Sequence, residues 1–193
     1  MSTQQIALKG TRAGLYPMEE EHAERLLEAG QDPAIWNVFM EPLQTIEDVL
    51  RYIRKAKQQE AAGTCLPFVI ADLNDNRIVG STRFFDLSVH DRGLEIGHTW
   101  LHPSVWRTRI NTECKYLLLR DAFERLDMLR VQLKADSRNA RSLAAIERLG
   151  AVKEGVLRNH RVLHDGYVRD TVMYSITKQE WPQVKAHLER LLQ

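Results

Sequence analysis

Apolar residues recur along the chain with two different periods, and together these periods predict an α/β protein. Ile46, Val49, Leu50 and Ile53 lie at helical spacing, whereas Phe68-Val-Ile-Ala-Asp72 is a short β-branched and aromatic run of the kind found in strands. The predicted order is a strand, two helices, three antiparallel strands, a β-α-β-α unit, a β-hairpin and a terminal helix. We therefore expect one domain, residues 1–193, built on a mixed sheet.

Start and stop signals set the element boundaries in the first half of the chain. A weak edge strand is expected from Ile6 to Leu15, and a helix from Glu19 to Ala29. Thr45 can cap the next helix, because Asp48 three residues later completes a capping-box pattern. Gly80 lies inside a predicted strand, which indicates a bulge or a close approach of another backbone.

The stretch from Glu95 to Gly150 is the predicted functional unit. It contains a strand at Glu95–Leu101, a helix at Asn111–Leu126, a second strand at Val131–Ala135 and a second helix at Asn139–Leu149. The first N–H groups of a helix lack partners and lie at the positive end of its dipole. A strand that enters a helix through a short turn therefore predicts a site for a phosphate-bearing ligand.

The last segment predicts a hairpin followed by a helix. Asp165-Gly166 is a strong turn signal after the expected strand Val152–Leu163. On the return strand Val172, Tyr174 and Ile176 alternate with other residues, so they share one face. Lys178–Gln193 is expected to form the terminal helix.

Composition and charge narrow the function classes. The chain has 193 residues with 27 Lys and Arg against 26 Asp and Glu, a net charge of +1, which argues against nucleic acid as a partner. Cys65 and Cys114 have no metal-ligand spacing, so we expect two buried thiols and no metal. No apolar run is long enough to span a membrane, and the N-terminus lacks signal-peptide features, so a cytoplasmic location is expected.

Several motifs together carry a family resemblance that covers the chain from roughly Leu8 to Trp181. They are Ile78-Val-Gly-Ser-Thr-Arg83, Glu95-Ile-Gly97, Trp106 to Lys115, Asp136-Ser-Arg-Asn-Ala-Arg-Ser142 and Leu149-Gly-Ala151. The chain resembles GNAT-superfamily N-acetyltransferases of the RimJ/RimL-like branch, which acetylate protein N-termini and small amines. The resemblance implies a mixed, mostly antiparallel sheet flanked by helices, with a C-terminal helix. It also implies acetyl-CoA as cosubstrate and an amine as acceptor, and an edge strand or the last helix could pair two copies.

The same resemblance implies which residues hold the cofactor. Pantetheine would pair with the strand residues Thr99, Trp100 and Leu101 like an added strand. The pyrophosphate would lie on the N–H groups of Arg107, Thr108, Arg109, Ile110, Asn111 and Thr112. In the family this turn reads Gln/Arg-x-x-Gly-x-Gly/Ala, and here Arg109 and Asn111 stand at the glycine and small-residue positions. The loop residue Asn139 and the helix residue Ser142 are expected to contact the cofactor as well.

Three residues are the candidates for catalysis. Glu95 is the expected base, acting directly or through water, and the alternative is a surface carboxylate at a strand edge. The resemblance implies that Asn139 contacts pantetheine or orients a water, and the alternative is that it simply caps its helix, since Asn is a preferred N-cap. The resemblance also implies that Ser142 protonates the leaving thiolate, although a serine in a first helical turn is also ordinary. Strand alternation predicts that Glu95 and His98 lie on opposite faces.

The acceptor and two rival functions stay open at this stage. Arg158, Arg161, His160 and His164 lie near the predicted C-terminal hairpin, where the arginines could attract an acidic acceptor. The aromatic residues Trp36, Phe39 and Phe84 could line an acceptor cleft, although core packing is the simpler interpretation. The first rival is an acyl-CoA sensor or regulatory subunit with little catalysis, motivated by the absent turn glycines. The second is a nucleic-acid module using Arg107, Arg109, Arg138 and Arg141.

Overall fold

Eight strands form one sheet in the part of the chain that the structure, a computed structural model, describes: residues 5–36, 42–163 and 165–193. The strands are β1 (Leu8–Lys9), β2 (Ala13–Pro17), β3 (Cys65–Asp72), β4 (Arg77–Ser88), β5 (Gly93–Leu101), β6 (Arg130–Asp136), β7 (Val152–Val162) and β8 (Val168–Thr177). Their order across the sheet is β1-β2-β3-β4-β5-β6-β8-β7. Neighbouring strands are antiparallel except β5 and β6, so the predicted mixed, mostly antiparallel sheet is confirmed.

Five helices cover the two faces of this sheet in the described ranges. They are α1 (Ala23–Ala29), α2 (Ile46–Ala61), α3 (Arg109–Arg120), α4 (Ala140–Arg148) and α5 (Trp181–Leu191). α1 and α2 pack on β3 and β4 over one apolar core, and α3, α4 and α5 lie on the other face over a second, larger core. The β6 side chains Val131, Leu133 and Ala135 point into that larger core, which leaves Gln132 and Lys134 on the α1–α2 face.

Local sequence signals account for most of these boundaries. The Thr45 side chain accepts the Asp48 N–H at 3.2 Å while the Asp48 carboxylate accepts the Thr45 N–H at 2.9 Å, which confirms the predicted capping box. Gly80 also behaves as predicted, because a Cβ there would lie 2.0 Å from the Trp100 carbonyl oxygen. The backbone of β5 therefore passes too close for any side chain at this position.

Four predicted elements were wrong in extent. The helix expected at Glu19–Ala29 is α-helical only from Ala23, and the terminal helix expected at Lys178–Gln193 runs from Trp181 to Leu191. The edge strand expected at Ile6–Leu15 is a short hairpin of β1 and β2, because its turn is pulled inward by Glu113 of α3. That buried carboxylate accepts the N–H groups of Thr11, Arg12 and Ala13 at 2.6, 2.9 and 2.7 Å. The helix expected at Asn111–Leu126 begins two residues earlier, at Arg109, and continues past Arg120 as a wider π-helical turn, Asp121–Arg125.

Candidate active site

The central feature of the sheet is an opening between β5 and β6. These parallel strands pair only from Gly93 to Glu95, opposite Arg130 to Gln132. Beyond that point β5 continues to Leu101 alongside β4, and β6 continues to Asp136 alongside β8. Two strand edges therefore diverge across a gap with no described strand between them. Backbone groups along such edges can pair with an extended ligand, as an added strand would.

A β-bulge reshapes β5 beside this opening. Arg83 pairs with Gly97 and Ser81 pairs with Trp100, so three steps along β5 oppose two along β4. His98 takes a left-handed φ of 50° at the extra residue. The prediction that Glu95 and His98 lie on opposite faces was therefore wrong: the His98 ring lies edge-on to Phe85 at 5.1 Å, and Phe85 is the residue paired with Glu95. Alternation fails here because the bulge shifts the strand by one residue.

Glu95 lies where β5 and β6 begin to diverge. Its side chain is buried on the α1–α2 face at 3% exposure, so it is not the surface carboxylate of the alternative interpretation. Gln132 Nε2 donates to Glu95 Oε2 at 3.1 Å, and the Lys134 ammonium forms an ion pair with the same oxygen. Burial raises the pKa of Glu95, and the adjacent Lys134 opposes that rise. Asp86, 3.8 Å from the Lys134 ammonium, raises the Glu95 pKa further.

Gln132 and Lys134 were missed by sequence reasoning. They are two β6 residues on the same face as Glu95, opposite the apolar stripe of that strand. Their signal was present in the period-two alternation of β6, which separates Val131 and Leu133 from Gln132 and Lys134. What the sequence lacked was the parallel register that sets β6 beside Glu95.

At the wide end of the opening lies the turn before α3, where the sequence predicts a phosphate site. The Thr108 side chain caps α3 by accepting the Ile110 N–H at 3.4 Å. Arg107 takes the left-handed φ of 60° in this turn, whereas Arg109 and Asn111 have ordinary helical backbone. The helix therefore begins normally without the family's glycines. Arg109 and Asn111 stand at the family's glycine and small-residue positions, inside the first helical turn. Because any residue can adopt helical backbone, replacing the glycine there causes no strain.

Arginines from α4 extend the positive charge around this helix terminus. The Arg141 guanidinium lies 3.6 Å from the centre of the Trp106 ring, and Trp106 Nε1 in turn donates to the Leu101 carbonyl at 2.8 Å. Arg148 donates to the Thr112 hydroxyl, so the Thr112 side chain is buried against α4. Sequence reasoning did not single out Arg148, because its contact with Thr112 depends on how α3 and α4 pack together in the fold.

The β5 residues Thr99 to Leu101, which are expected to pair with pantetheine, have side chains that contact both helical layers. Trp100 and Leu101 are buried, and Trp100 packs against Trp36 with ring centres 5.4 Å apart. The Thr99 hydroxyl lies 2.8 Å from that of Thr82 and accepts a hydrogen bond from the Lys115 ammonium of α3. Burial lowers the pKa of Lys115 to about 8. Lys115 was also missed, because its position in the helix resembles a solvent-exposed one.

The α4 candidates lie at the start of that helix. The Asn139 side chain accepts the Ser142 N–H at 3.0 Å, which confirms its role as the N-cap. Ser142 is half-buried in the first turn. Arg138 makes a two-pronged contact with Asp136, at 3.0 and 3.1 Å, and stacks on Tyr167. Its charge is therefore already paired within the protein, which argues against its use in a nucleic-acid surface.

Other predicted positions have structural partners or are not described. His160 Nδ1 lies 3.0 Å from the Thr171 hydroxyl, and Tyr174 donates to Glu147 at 2.8 Å. Phe39 and His164 lie outside the described residues. Cys65 and Cys114 are buried free thiols, as predicted.

Neither a metal cluster nor a membrane-spanning helix is found across residues 5–36, 42–163 and 165–193. No group of three or more His, Cys, Asp or Glu side chains there is arranged to hold a metal ion. None of the helices in those ranges has both the length and the apolar character needed to cross a bilayer.

Comparison with known proteins agrees with this geometry. A family model described as "Acetyltransferase (GNAT) domain" matches residues 12–152. A Bacillus subtilis (strain 168) protein named "Putative ribosomal N-acetyltransferase YdaF" is 33% identical over 109 residues, which span 56% of this chain and 58% of that protein.

Solved structures have the same architecture. The crystal structure of a "putative acetyltransferase" from T. thermophilus superposes with a TM-score of 0.89 at 35% identity, covering all of both chains. Mycobacterium smegmatis RimJ, solved with CoA-disulfide, has a TM-score of 0.81 at 22% identity, covering 93% of this chain and 88% of RimJ, which demonstrates the shared fold. The predicted fold is thus confirmed, and the family match extends over 141 of the 193 residues. The chain belongs to the GNAT acetyltransferase family.

Proposed function

We propose that this acetyltransferase moves the acetyl group of acetyl-CoA to a primary amine, on a protein N-terminus or a small molecule, by direct attack in a ternary complex. The observation that carries the proposal is the opening between β5 and β6, with the buried carboxylate of Glu95 at the point where it begins. An extended pantetheine chain would pair with Thr99 to Leu101 from one side. The acceptor would approach Glu95 from the α1–α2 face.

The turn before α3 would hold the pyrophosphate. The N–H groups from Arg107 to Thr112 begin a helix whose positive end is reinforced by Arg141 and Arg148. Such a terminus binds phosphate through both its free N–H groups and its dipole. The CoA-disulfide bound to RimJ supports a CoA ligand for this fold.

Glu95 would remove the proton from the acceptor ammonium, directly or through a water. A raised pKa suits this task, since a general base works best with a pKa near the working pH. The Lys134 ammonium already rests on the Glu95 carboxylate, in the position that an acceptor ammonium would need. The acceptor nitrogen then bonds to the acetyl carbon, the carbon–sulfur bond breaks, and Ser142 would supply a proton to the CoA thiolate. The second proton of the amine leaves the nitrogen as the amide forms and, through solvent, restores the Ser142 hydroxyl. Asn139 would hold the start of α4 in place beside it.

Buried thiols argue against an acetyl-cysteine intermediate. Burial raises the pKa of both Cys65 and Cys114 to about 11, so neither is a thiolate at neutral pH. Cys114 also lies inside α3 within the larger core. These features favour direct transfer.

The test is a pair of measurements on the purified protein. A ligand at 100 times its dissociation constant raises the unfolding free energy by about 2.7 kcal/mol, so acetyl-CoA and CoA, but not ATP, should raise the melting temperature. Release of free CoA thiol is then followed over a broad panel of amines. Binding without transfer to any amine would favour the sensor function instead, and no binding would overturn both.

A further inference from the structure

The α1–α2 face of the sheet contains an arginine with no carboxylate partner among the described residues. Arg83, on β4, is 3% exposed and lies between the sheet and α2. Its guanidinium stacks on the Tyr52 ring at 4.2 Å, and its two terminal nitrogens reach the Gln59 side chain and the Tyr52 carbonyl only at 3.5 Å. Arg83 Nε has no hydrogen-bond partner there. Within residues 5–36, 42–163 and 165–193, no Asp or Glu forms an ion pair with it.

This arrangement is unfavourable in the protein by itself. A buried charge that lacks a counterion keeps the cost of leaving water without a matching attraction. Other described arginines that lie beside a buried carboxylate, such as Arg125 on Asp121, are paired at short distance. A carboxylate is the group that a planar guanidinium binds best, through two parallel hydrogen bonds.

Arg83 is also close to the candidate base. It is paired with Gly97, and Phe85, two residues along β4, is paired with Glu95. Arg83 and Glu95 are thus diagonal neighbours on one face, with Cα atoms roughly 7–8 Å apart as in other antiparallel pairs. A small molecule with an amine and a carboxylate a few bonds apart can span that distance.

The electrostatic surroundings favour an anion at the same place. Burial, followed by the positive charges of Arg83, Arg161 and Lys55, lowers the pKa of His98 to about 3. These three cations come from β4, β7 and α2, so the charge is assembled by the fold and not by one element. His98 is therefore neutral near pH 7, and it adds no positive charge of its own beside Glu95.

We propose that Arg83 binds a carboxylate of the acceptor, so that the acceptor is a small amine carrying a carboxylate a few bonds from its nitrogen. The proposal rests on the acetyl-transfer function given above. Arg83 would set specificity and position the acceptor amine at Glu95. Arg161 and Lys55 would add attraction without direct contact.

The experiment compares each amino acid with its own amide as acceptor. The release of CoA thiol is followed, and it gives kcat/KM for each member of the pair. We expect the wild-type protein to prefer the carboxylate of the best pair by about tenfold or more, the size of a charge-assisted contact. In Arg83→Met the ratio should fall towards one, chiefly through loss on the carboxylate substrate, while the KM for acetyl-CoA stays unchanged. Arg54→Met is the control, since it removes an exposed, already paired arginine from α2. It should keep the wild-type ratio.

Stability and binding supply two further readouts. Because Arg83 carries an uncompensated buried charge, Arg83→Met should melt at a higher temperature than the wild type. With CoA present, the preferred amino acid should raise the melting temperature of the wild type and not that of Arg83→Met. If Arg83→Met does not fold, Arg83→Lys, which keeps the charge and loses the planar fork, should still lower the ratio.

Three sets of results separate this proposal from the acetyl-transfer function. Acetyl transfer with no preference for carboxylates, or with a preference that Arg83→Met retains, would overturn the role of Arg83 alone. A stronger preference for phosphoethanolamine over ethanolamine than for any amino acid over its amide would show a phosphate site instead. Absence of transfer to every amine, together with no amino-acid-dependent melting shift, would overturn both.

Discussion

The two ends of the opening between β5 and β6 are built in different ways. The end proposed to bind the cofactor, the cofactor end, depends on one continuous strand, turn and helix, from Thr99 to Thr112, to which α4 adds Arg141 and Arg148. The other is the proposed acceptor end. The acceptor end collects Arg83, Glu95, Lys134 and Arg161 from four different strands. A site made from one contiguous segment has a recognisable motif. A site assembled across strands is visible only once their registers are known.

The two ends also differ in how their charges are compensated. At the cofactor end the Arg141 guanidinium is stacked on Trp106 and Arg148 is hydrogen-bonded to Thr112, so each has a partner within the protein. On the α1–α2 face at the acceptor end, Arg83 is buried without a carboxylate partner among the described residues. The phosphates of CoA would add charge to a site that is already ordered. The acceptor would instead relieve an existing imbalance.

The largest expected effect is at the acceptor end. Glu95→Gln should lower kcat by about 10²–10⁴-fold, the usual contribution of a general base. The dissociation constant of acetyl-CoA should remain nearly unchanged, because Glu95 lies on the acceptor face. The measurements are steady-state kinetics on the best amine and calorimetric titration with acetyl-CoA.

Glu47→Gln, on the exposed side of α2, makes the same chemical change away from the opening and should behave as wild type. Equal losses of rate and of acetyl-CoA affinity in Glu95→Gln would contradict its assignment as base. Equal losses would also show that acetyl-CoA binding and base catalysis do not depend on separate ends of the opening.

The buried Lys115 ammonium beneath β5 is expected to make the stability of the protein depend on pH. Its pKa is lowered by burial to about 8 from an ordinary 10.5, so below pH 8 the folded state contains a buried ammonium. Between pH 8 and 10.5 the folded protein loses this proton while the unfolded chain keeps it, so stability should rise with pH. A shift of this size corresponds to about 3 kcal/mol. Lys115→Met should remove this rise and increase the unfolding free energy at pH 7.

Urea unfolding at several pH values measures this effect. The gain at pH 7 should be somewhat less than the full value, because the variant loses the hydrogen bond to Thr99. Lys153→Met, at an exposed position on β7, is the matched control and should leave the pH profile unchanged. A Lys115→Met protein that is less stable at pH 7 would show that the ammonium has a compensating partner.

Features that depend on nearby residues could be predicted from the sequence, whereas features that depend on the pairing of distant strands could not. Thr45, Asp48, Gly80 and Asn139 act through neighbours in the chain or through a single close contact, and each was predicted correctly. His98 was placed on the wrong face, because a bulge depends on the pairing of β4 with β5 and leaves no mark in the alternation itself.

Long-range partners account for the remaining errors and omissions. The Thr112 hydroxyl is engaged by Arg148, and Glu113 folds back on the turn before β2, so the start of α3 is fixed by residues distant in sequence. Lys134 reads as an ordinary polar strand residue until the register of β5 and β6 sets it against Glu95. Such pairings follow from topology, which local patterns do not encode.

A smaller effect is expected at the cofactor end. Arg148→Met should weaken acetyl-CoA binding by about 10-fold, typical of losing one charge-assisted contact to a phosphate. The rate with S-acetylpantetheine, which has the thioester but no pyrophosphate, should change little. Arg25→Met, on the opposite layer, removes the same charge and should not affect either substrate. Equal losses with both thioesters would mean that Arg148 acts by holding Thr112 and α3 in place.

The smallest effect is expected from replacing Lys134, which adjusts the pKa of the proposed base Glu95. Lys134 lowers the Glu95 pKa against the effect of burial, so Lys134→Met should raise that pKa and move the acid limb of the kcat/KM profile to higher pH. On the alkaline side of that limb the rate should change little, because Glu95 is ionised there in both proteins. Lys153→Met serves again as the exposed control. If kcat/KM on the alkaline side instead rose in Lys134→Met while the acid limb stayed in place, Lys134 would act mainly as a competitor that the acceptor ammonium must displace from Glu95. The cation beside the base would then be a barrier to binding more than a regulator of proton transfer.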